Sequence, residues 1–255
     1  MEILYIIIFF ILGTLMGSFY TVVGLRLPKG EDCIKSRSYC DHCHHTLSLF
    51  DMIPIVSYYL LGKKCRYCGA SIDSLSTSME FFTGVLFALS YFVFGFSYDL
   101  FIAIGIVSML SIISVSDITY LIIPDEVLIF FSGYFLVIAA LQYGVSTCLL
   151  KIFSGLCLFG IMYLIMLMGN YLFKKESLGG GDIKMMFVFG ILLHPVVGLL
   201  VIFISSVLAL PISLFLLYSR GKRNIPFGPF LLLGLTLVFF MGISFNQVLD
   251  FIKLL

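Results

Sequence analysis

Two cysteine pairs carry the most explicit chemistry in the chain: Cys40-Asp41-His42-Cys43 and Cys65-Arg66-Tyr67-Cys68, with 21 residues between them. A C-x2-C turn aims two thiolates at one centre. Two such turns complete a tetrahedral sulfur site of the kind that zinc fills. Four protein ligands leave no open position for water, so the metal implied by Cys40, Cys43, Cys65 and Cys68 is structural. Free thiols and disulfides are the alternatives, and disulfides do not suit a reducing cytoplasmic face. Gly69, directly after the second pair, fits a tight turn. His42, His44 and His45 offer substitute ligands but read as solvated loop residues. Cys33 lies outside the pattern, and Cys148 and Cys157 read as small buried thiols in or beside an apolar run.

The second pattern is acidic. Asp117 ends an apolar run in which Ser108, Ser111 and Ser114 recur every three residues, giving one helix a polar strip. Asp125 and Glu126 follow Ile123-Pro124 and read as first-turn residues that cap a helix or complement its dipole. Glu80 is expected to open an apolar helix in the same manner. Ser177-Leu178-Gly179-Gly180-Gly181-Asp182-Ile183-Lys184 is the least ordinary stretch. Its three glycines are expected to stay out of the helix and let the backbone approach something closely. Asp182 then begins the next helix, where the positive dipole end favours charge, whereas Asp117 sits at a helix C-terminus that disfavours it. Two carboxyls delivered by two helices suggest an aspartic dyad, in which one activates water and the other polarises a carbonyl.

The elements that must hold these residues are membrane helices. Of 255 residues, 61% are apolar and 11% charged, and the net charge is +1; soluble domains carry about 25% charged residues. That balance excludes a disordered chain, a disulfide miniprotein and an electrostatic nucleic-acid binder. Apolar runs at 3–25, 80–97, 101–116, 127–143, 147–172, 185–200, 201–219 and 230–252 predict an all-α polytopic membrane protein with about eight transmembrane helices. The first run has no basic flank, and Glu2 stands where one would be expected, so it reads as a span and not as a removable signal.

Thirteen of the fifteen basic residues fall near three connections, and only Lys151 and Lys253 fall elsewhere. The positive-inside rule makes those connections cytoplasmic and both termini external. The expected organisation is a first span at 1–25, a cytoplasmic zinc-binding loop at 26–79 and a membrane-embedded catalytic region at 80–255.

Taken together, the motifs resemble those of the type IV prepilin peptidases, the membrane-embedded aspartic family, and are most similar to its competence-type members from Gram-positive bacteria. The resemblance rests on Gly17-Ser18-Phe19-Tyr20-Thr21 through Leu27-Pro28, the two cysteine pairs, and Ile53-Pro54-Ile55-Val56-Ser57-Tyr58. It continues with Asp117-Ile118 through Ile123-Pro124-Asp125, Gly179-Gly180-Gly181-Asp182-Ile183-Lys184, and Ile225-Pro226-Phe227-Gly228-Pro229-Phe230. Many members carry Asn where Thr21 stands. The resemblance implies catalytic carboxyls at Asp117 and Asp182, with Gly179, Gly180, Gly181, Lys184 and Asp125 in support. It implies cleavage of a basic leader after Gly, at the cytoplasmic face of the bacterial cell membrane. The expected substrates are prepilin and pseudopilin-like proteins, and the surroundings membrane lipid; nucleic acid is not an expected partner. Methylation of the new N-terminus with S-adenosylmethionine is implied by the resemblance alone. The competing class is a multi-span transporter with a cytoplasmic zinc knob, for which internal repeats and midplane charges would be expected.

Overall fold

The structure, a computed structural model, describes residues 2–33, 38–40, 42–174, 178–220 and 226–254. Lys35, Arg37, Asp41, Lys175, Ser177, Lys222, Arg223 and Ile225, which enter the charge count or the motifs, lie outside the described residues. All regular structure among the described residues is helical, with only two isolated β-bridges. The helices are α1 (Glu2–Arg26), α2 (Val56–Leu60), α3 (Ser74–Phe94), α4 (Tyr98–Tyr120), α5 (Asp125–Tyr143), α6 (Ser146–Phe173), α7 (Gly180–Leu192), α8 (Pro195–Arg220), α9 (Gly228–Phe240) and α10 (Phe245–Leu254). Six of them are long and apolar enough to cross a bilayer. Two more apolar helices, α7 and α9, have 13 residues each, a length of about 20 Å against a hydrocarbon core of about 30 Å.

Eight apolar helices therefore stand where eight runs are expected, with some boundaries moved. Helix α3 starts six residues before Glu80, because Asp73 caps it by accepting the Leu75 N–H at 3.3 Å. The break expected at residue 200 falls instead at Leu193-His194. Proline fits a first helical turn, where its missing N–H is no loss, so α8 begins at Pro195. The run at 230–252 divides at 241–244, where Gly242 has φ +62°, and continues as the short amphipathic α10.

The chain forms two compact units, Met1–Phe96 and Ser97–Leu255. In the first, α1 lies against α3 through small residues. A methyl at Gly13 would stand 2.8 Å from Gly84 Cα, and one at Gly17 2.9 Å from Glu80 Cα. Gly13 and Gly17 are one helical turn apart, the spacing that lets membrane helices approach closely. Thr21 is buried on the same face and donates its hydroxyl to the Gly17 carbonyl at 2.9 Å. The far end of the pair is closed by rings, with Phe9 stacked on Tyr91 at 4.9 Å and Tyr5 edge-on to Phe96.

In the second unit α4 is the central helix, and its residues from Gly105 to Asp117 are all buried. Ser108 and Ser111 of the polar strip return their hydroxyls to carbonyls one turn back. Helix α4 packs on α5 and α9, and α7 packs on α5, α6, α8 and α9.

Candidate functional site

The cysteine loop is built from two copies of one turn. In the first, the Cys40 N–H donates to the His45 carbonyl and the His44 N–H to the Cys40 carbonyl. In the second, Cys65 and Gly69 repeat both bonds with Ala70 and Cys65. Bridges between Tyr39 and Thr46 and between Lys64 and Ser71 close the two turns identically. Each turn needs a left-handed residue after its second cysteine: Gly69 has φ +70°, and His44 takes the same role at φ +54°. His44 is thus a turn residue, and His45 lies against the Tyr67 ring at 3.8 Å.

All four sulfurs lie within 4.8 Å of one another, and Cys40 Sγ is 3.8 Å from Cys68 Sγ. A tetrahedron with metal–sulfur bonds of ~2.3 Å has edges of about 3.8 Å, so the donor set fits zinc once the longer edges close by up to about 1 Å. Backbone N–H groups of Cys43 and His42 point at the Cys40 thiol and lower it to about 6, which favours the thiolate a metal requires. Every cysteine among the described residues is free of disulfide.

Asp51 ties the loop together, a role its sequence position does not announce. Its Oδ2 accepts the Ser48 hydroxyl at 2.7 Å and the Ser48 N–H at 3.1 Å, and its Oδ1 pairs with Arg66 Nε at 3.1 Å. The Ser48 hydroxyl, above all, holds the Asp51 carboxyl below the usual carboxylate range. Glu80 has a comparable role beside α1. It is buried two turns into α3 rather than at its start, and its Oε2 accepts the Ile55 N–H at 2.8 Å. Ile55 has φ +64°, a costly conformation for a β-branched residue. Glu80 thereby fixes the Pro54-Ile55 turn onto α3, which accounts for the 53–58 motif.

The second unit holds the acidic site. Asp117 lies in the last turn of α4, is buried, and accepts the Gly228 N–H on Oδ2 at 2.9 Å. Gly228 is the first residue of α9, so this N–H is one of the donors that a helix start leaves without an intrahelical acceptor. After Tyr120 the chain turns sharply through Leu121, at φ +57°, and reaches Ile123. Ile123 is the packing centre of the site. A methyl on Gly181 would stand 2.8 Å from its Cβ, and one on Gly228 would stand 3.4 Å from its Cδ1 and 2.9 Å from Asp117 Oδ2. The starts of α7 and α9 thus converge on the end of α4, and Asp182 lies within electrostatic reach of Asp117.

The glycine run differs from expectation in one respect. Gly180 and Gly181 are helical and form the first two positions of α7, after Gly179 as N-cap. The close approach expected of them is real at Gly181, against Ile123. A methyl at Gly179 would meet Asp182 Oδ2 at 3.1 Å, whereas Gly180 faces open space. Asp125 is not a side-chain cap of α5: both of its oxygens take Lys184 Nζ, at 2.8 and 2.7 Å, and the two side chains are half exposed. The residue that sequence reasoning left without a role is Gly228, although Pro226-Phe227-Gly228-Pro229 marks the helix start that places its N–H.

The comparisons with known proteins agree with this division. Residues 11–94 match the bacterial peptidase A24 N-terminal domain, and residues 104–214 match the type IV leader peptidase family. The chain is 35% identical to the prepilin leader peptidase/N-methyltransferase of Bacillus subtilis (strain 168), over 93% of this chain and 94% of that one. It is 29% identical to the protein of the same description from Vibrio cholerae, over 94% of this chain and 98% of that one. A further relative, the type 4 prepilin-like proteins leader peptide-processing enzyme of Escherichia coli O78:H11, is 28% identical over 86% of this chain and 78% of its own. No solved structure matches. A chain matched along both its units, and at this identity over nearly its whole length, belongs to the type IV leader peptidase family.

Proposed function

We propose that this enzyme cleaves the basic leader from prepilin-like proteins at the cytoplasmic membrane face, with Asp117 and Asp182 as its acid–base pair. The observation that carries the reading is the convergence of three helix ends on Ile123, which brings a buried carboxyl of α4 to the carboxyl of α7. In the proposed step one carboxylate takes a proton from water as the oxygen attacks the carbonyl carbon of the scissile Gly bond. The partner carboxyl donates its proton to the departing nitrogen, and the C–N bond breaks to give an acid and an amine. Gly228 positions this pair: its N–H occupies Oδ2 of Asp117, so a proton held on Asp117 sits on Oδ1. Gly179 and Gly181 keep the start of α7 free of side chains, and Lys184 holds Asp125 beside that turn.

The loop at 26–79 is assigned to metal-supported folding, with zinc held by the four cysteines, and the catalytic region to 80–255. Both termini are assigned to the outside and the loop to the cytoplasm, on the basic-residue asymmetry. The relatives' enzyme names favour the peptidase over the transporter. N-methylation rests on those names and on the resemblance. The described residues form no strand–loop–helix nucleotide cradle.

The test is direct. Purified enzyme is incubated with a peptide carrying a basic leader, a Gly-Phe bond and an apolar segment, and the products are weighed by mass spectrometry. Cleavage after Gly, absent in a folded Asp182→Asn protein, is the expected result. Normal trimming by that variant would remove the aspartic mechanism.

A further inference from the structure

A groove of about 480 Å³ lies between α5, α6 and α7, and the acid–base chemistry above does not use it. Its walls are Leu128 and Ile129 of α5, Leu156 and Phe159 of α6, and Phe187 and Val188 of α7. Asp125 and Lys184, joined by their ion pair, stand at one end. Along α5 the lining runs from Asp125 to Ser132, about two helical turns or 10 Å.

We propose that this groove receives the first two turns of the substrate's apolar segment, the part that directly follows the scissile bond. The inference rests on the peptidase reading and adds to it a location for the substrate.

Three observations choose this occupant. The first is level: Lys184 stands two residues beyond Asp182 in the first turn of α7, so the charged end of the groove and the candidate chemistry lie at the same end of that helix, on different faces of it. The second is the order of its surfaces. A charged mouth gives way to an almost wholly apolar interior, as a substrate gives way from a polar cleavage junction to an apolar run. Asp125 at the mouth is also a suitable neighbour for the ammonium that hydrolysis releases at the new N-terminus. The third is access. Ile129 is 72% exposed and Leu156 55% exposed on apolar helices, so the groove is open sideways to the bilayer from which an apolar segment arrives.

Two measurements on the full chain test the proposal. Substrate cleavage is compared for a long peptide, with leader, Gly bond and about 20 apolar residues, and for a short one that stops three residues after the bond. Filling the groove with Leu156→Trp or Ser132→Phe should lower kcat/KM on the long peptide at least tenfold more than on the short one, through KM. Equal losses on both, or no loss on either, would overturn the groove as the apolar subsite. The second measurement uses Asp182→Asn protein with a photoreactive benzoylphenylalanine at position 156, and the same label at Leu164 of α6 as control. Adducts to the substrate's apolar segment from 156 and not from 164 are expected. Adducts from 156 to lipid alone, with long substrate present, would make the groove a lipid site. Failure of the unaltered enzyme to cleave any long peptide would instead remove the peptidase reading itself.

Discussion

At Asp117 a single backbone donor defines what the side chain can do. Oδ2 is taken by the Gly228 N–H, and Gly228 itself has no room to grow, because a methyl there would lie 2.9 Å from that same oxygen. Gly228→Ala should therefore displace the carboxyl or tilt α9, and activity should fall by about tenfold or more while the helices persist. Parallel circular dichroism and cleavage assays check this; a fully active alanine variant would show that the contact does not hold the carboxyl in place. Asp117→Asn and Asp182→Asn each disable the proposed acid–base pair and should each reduce cleavage by at least about 10²–10⁴-fold. The double variant should be no slower than either single one, since groups acting as a unit do not add. Asp125→Asn, which breaks only a half-exposed ion pair, should be milder.

Asp51 shows how a residue far from any catalytic proposal governs a pH response. Its carboxyl is held below the ordinary value of about 3.9 by the Ser48 hydroxyl and the other groups around it. A folded pKa below the unfolded one gives stability that is fully present above the unfolded value and is lost only as pH falls through the folded value. Between pH 8 and 6 the Asp51 contribution is therefore constant, and any metal release over that range belongs to protonation of the thiols. Chelator competition should find Asp51→Asn weaker than the unaltered protein by the same factor at both pH values. A difference that vanished at pH 6 would mean that the carboxylate is not what stabilises the loop.

At the scale of elements, the turn repeated around the two cysteine pairs has little core, and the metal proposed for it would do most of its folding. The loop has short helices, isolated bridges and few buried side chains, so replacing any one of Cys40, Cys43, Cys65 or Cys68 by Ser should lose the metal and unfold the loop while α1 and α3 remain paired. Elemental analysis with limited proteolysis separates the two effects; well under one metal per fully active chain would refute the site. Glu80→Leu should free the Pro54-Ile55 turn and expose the same loop to nicking, whereas Glu80→Gln, which retains an acceptor, should not. The pairing of the cysteines was legible from spacing, and so were the apolar helices, because both are local patterns. What stayed hidden was long-range. Gly228 meets Asp117 across 111 positions, and Glu80 meets Ile55 across 25. Neither contact leaves a periodic signal. The helicity of Gly180 and Gly181 is a third case: propensity argues against it, and packing of Gly181 on Ile123 prevails.

The whole molecule turns on whether its two short helices count as crossings. Six long helices alone would bring α8 to the opposite face from the one proposed, because each omitted crossing inverts everything after it. With α7 included, Arg220 returns to the side of the cysteine loop; with α9 included, Lys253 joins Lys151 outside. Counting α7 as a crossing places the three basic connections, with thirteen of fifteen basic residues, on one face. With α7 as a crossing, the starts of α7 and α9, with Asp182 and Gly228, fall on the same face as Asp117 at the end of α4. Helices of about 20 Å cross a core of about 30 Å only if the bilayer thins locally or water enters at one end, and water is the reagent that a peptidase consumes. Single cysteines at Val145, Lys174, Arg220 and Lys253, in a chain retaining only the four loop thiols, decide the matter with an impermeant maleimide on intact cells. Positions 145 and 253 should react, and 174 and 220 should react only after permeabilisation; with neither short helix crossing, 220 would react as well. Labelling at 174 in intact cells would invert the orientation. Protection at 253 with 220 also protected would show that α9 does not cross; reaction at 220 in intact cells would show that α7 does not cross, and would move the start of α9 away from the face where the leader is proposed to arrive.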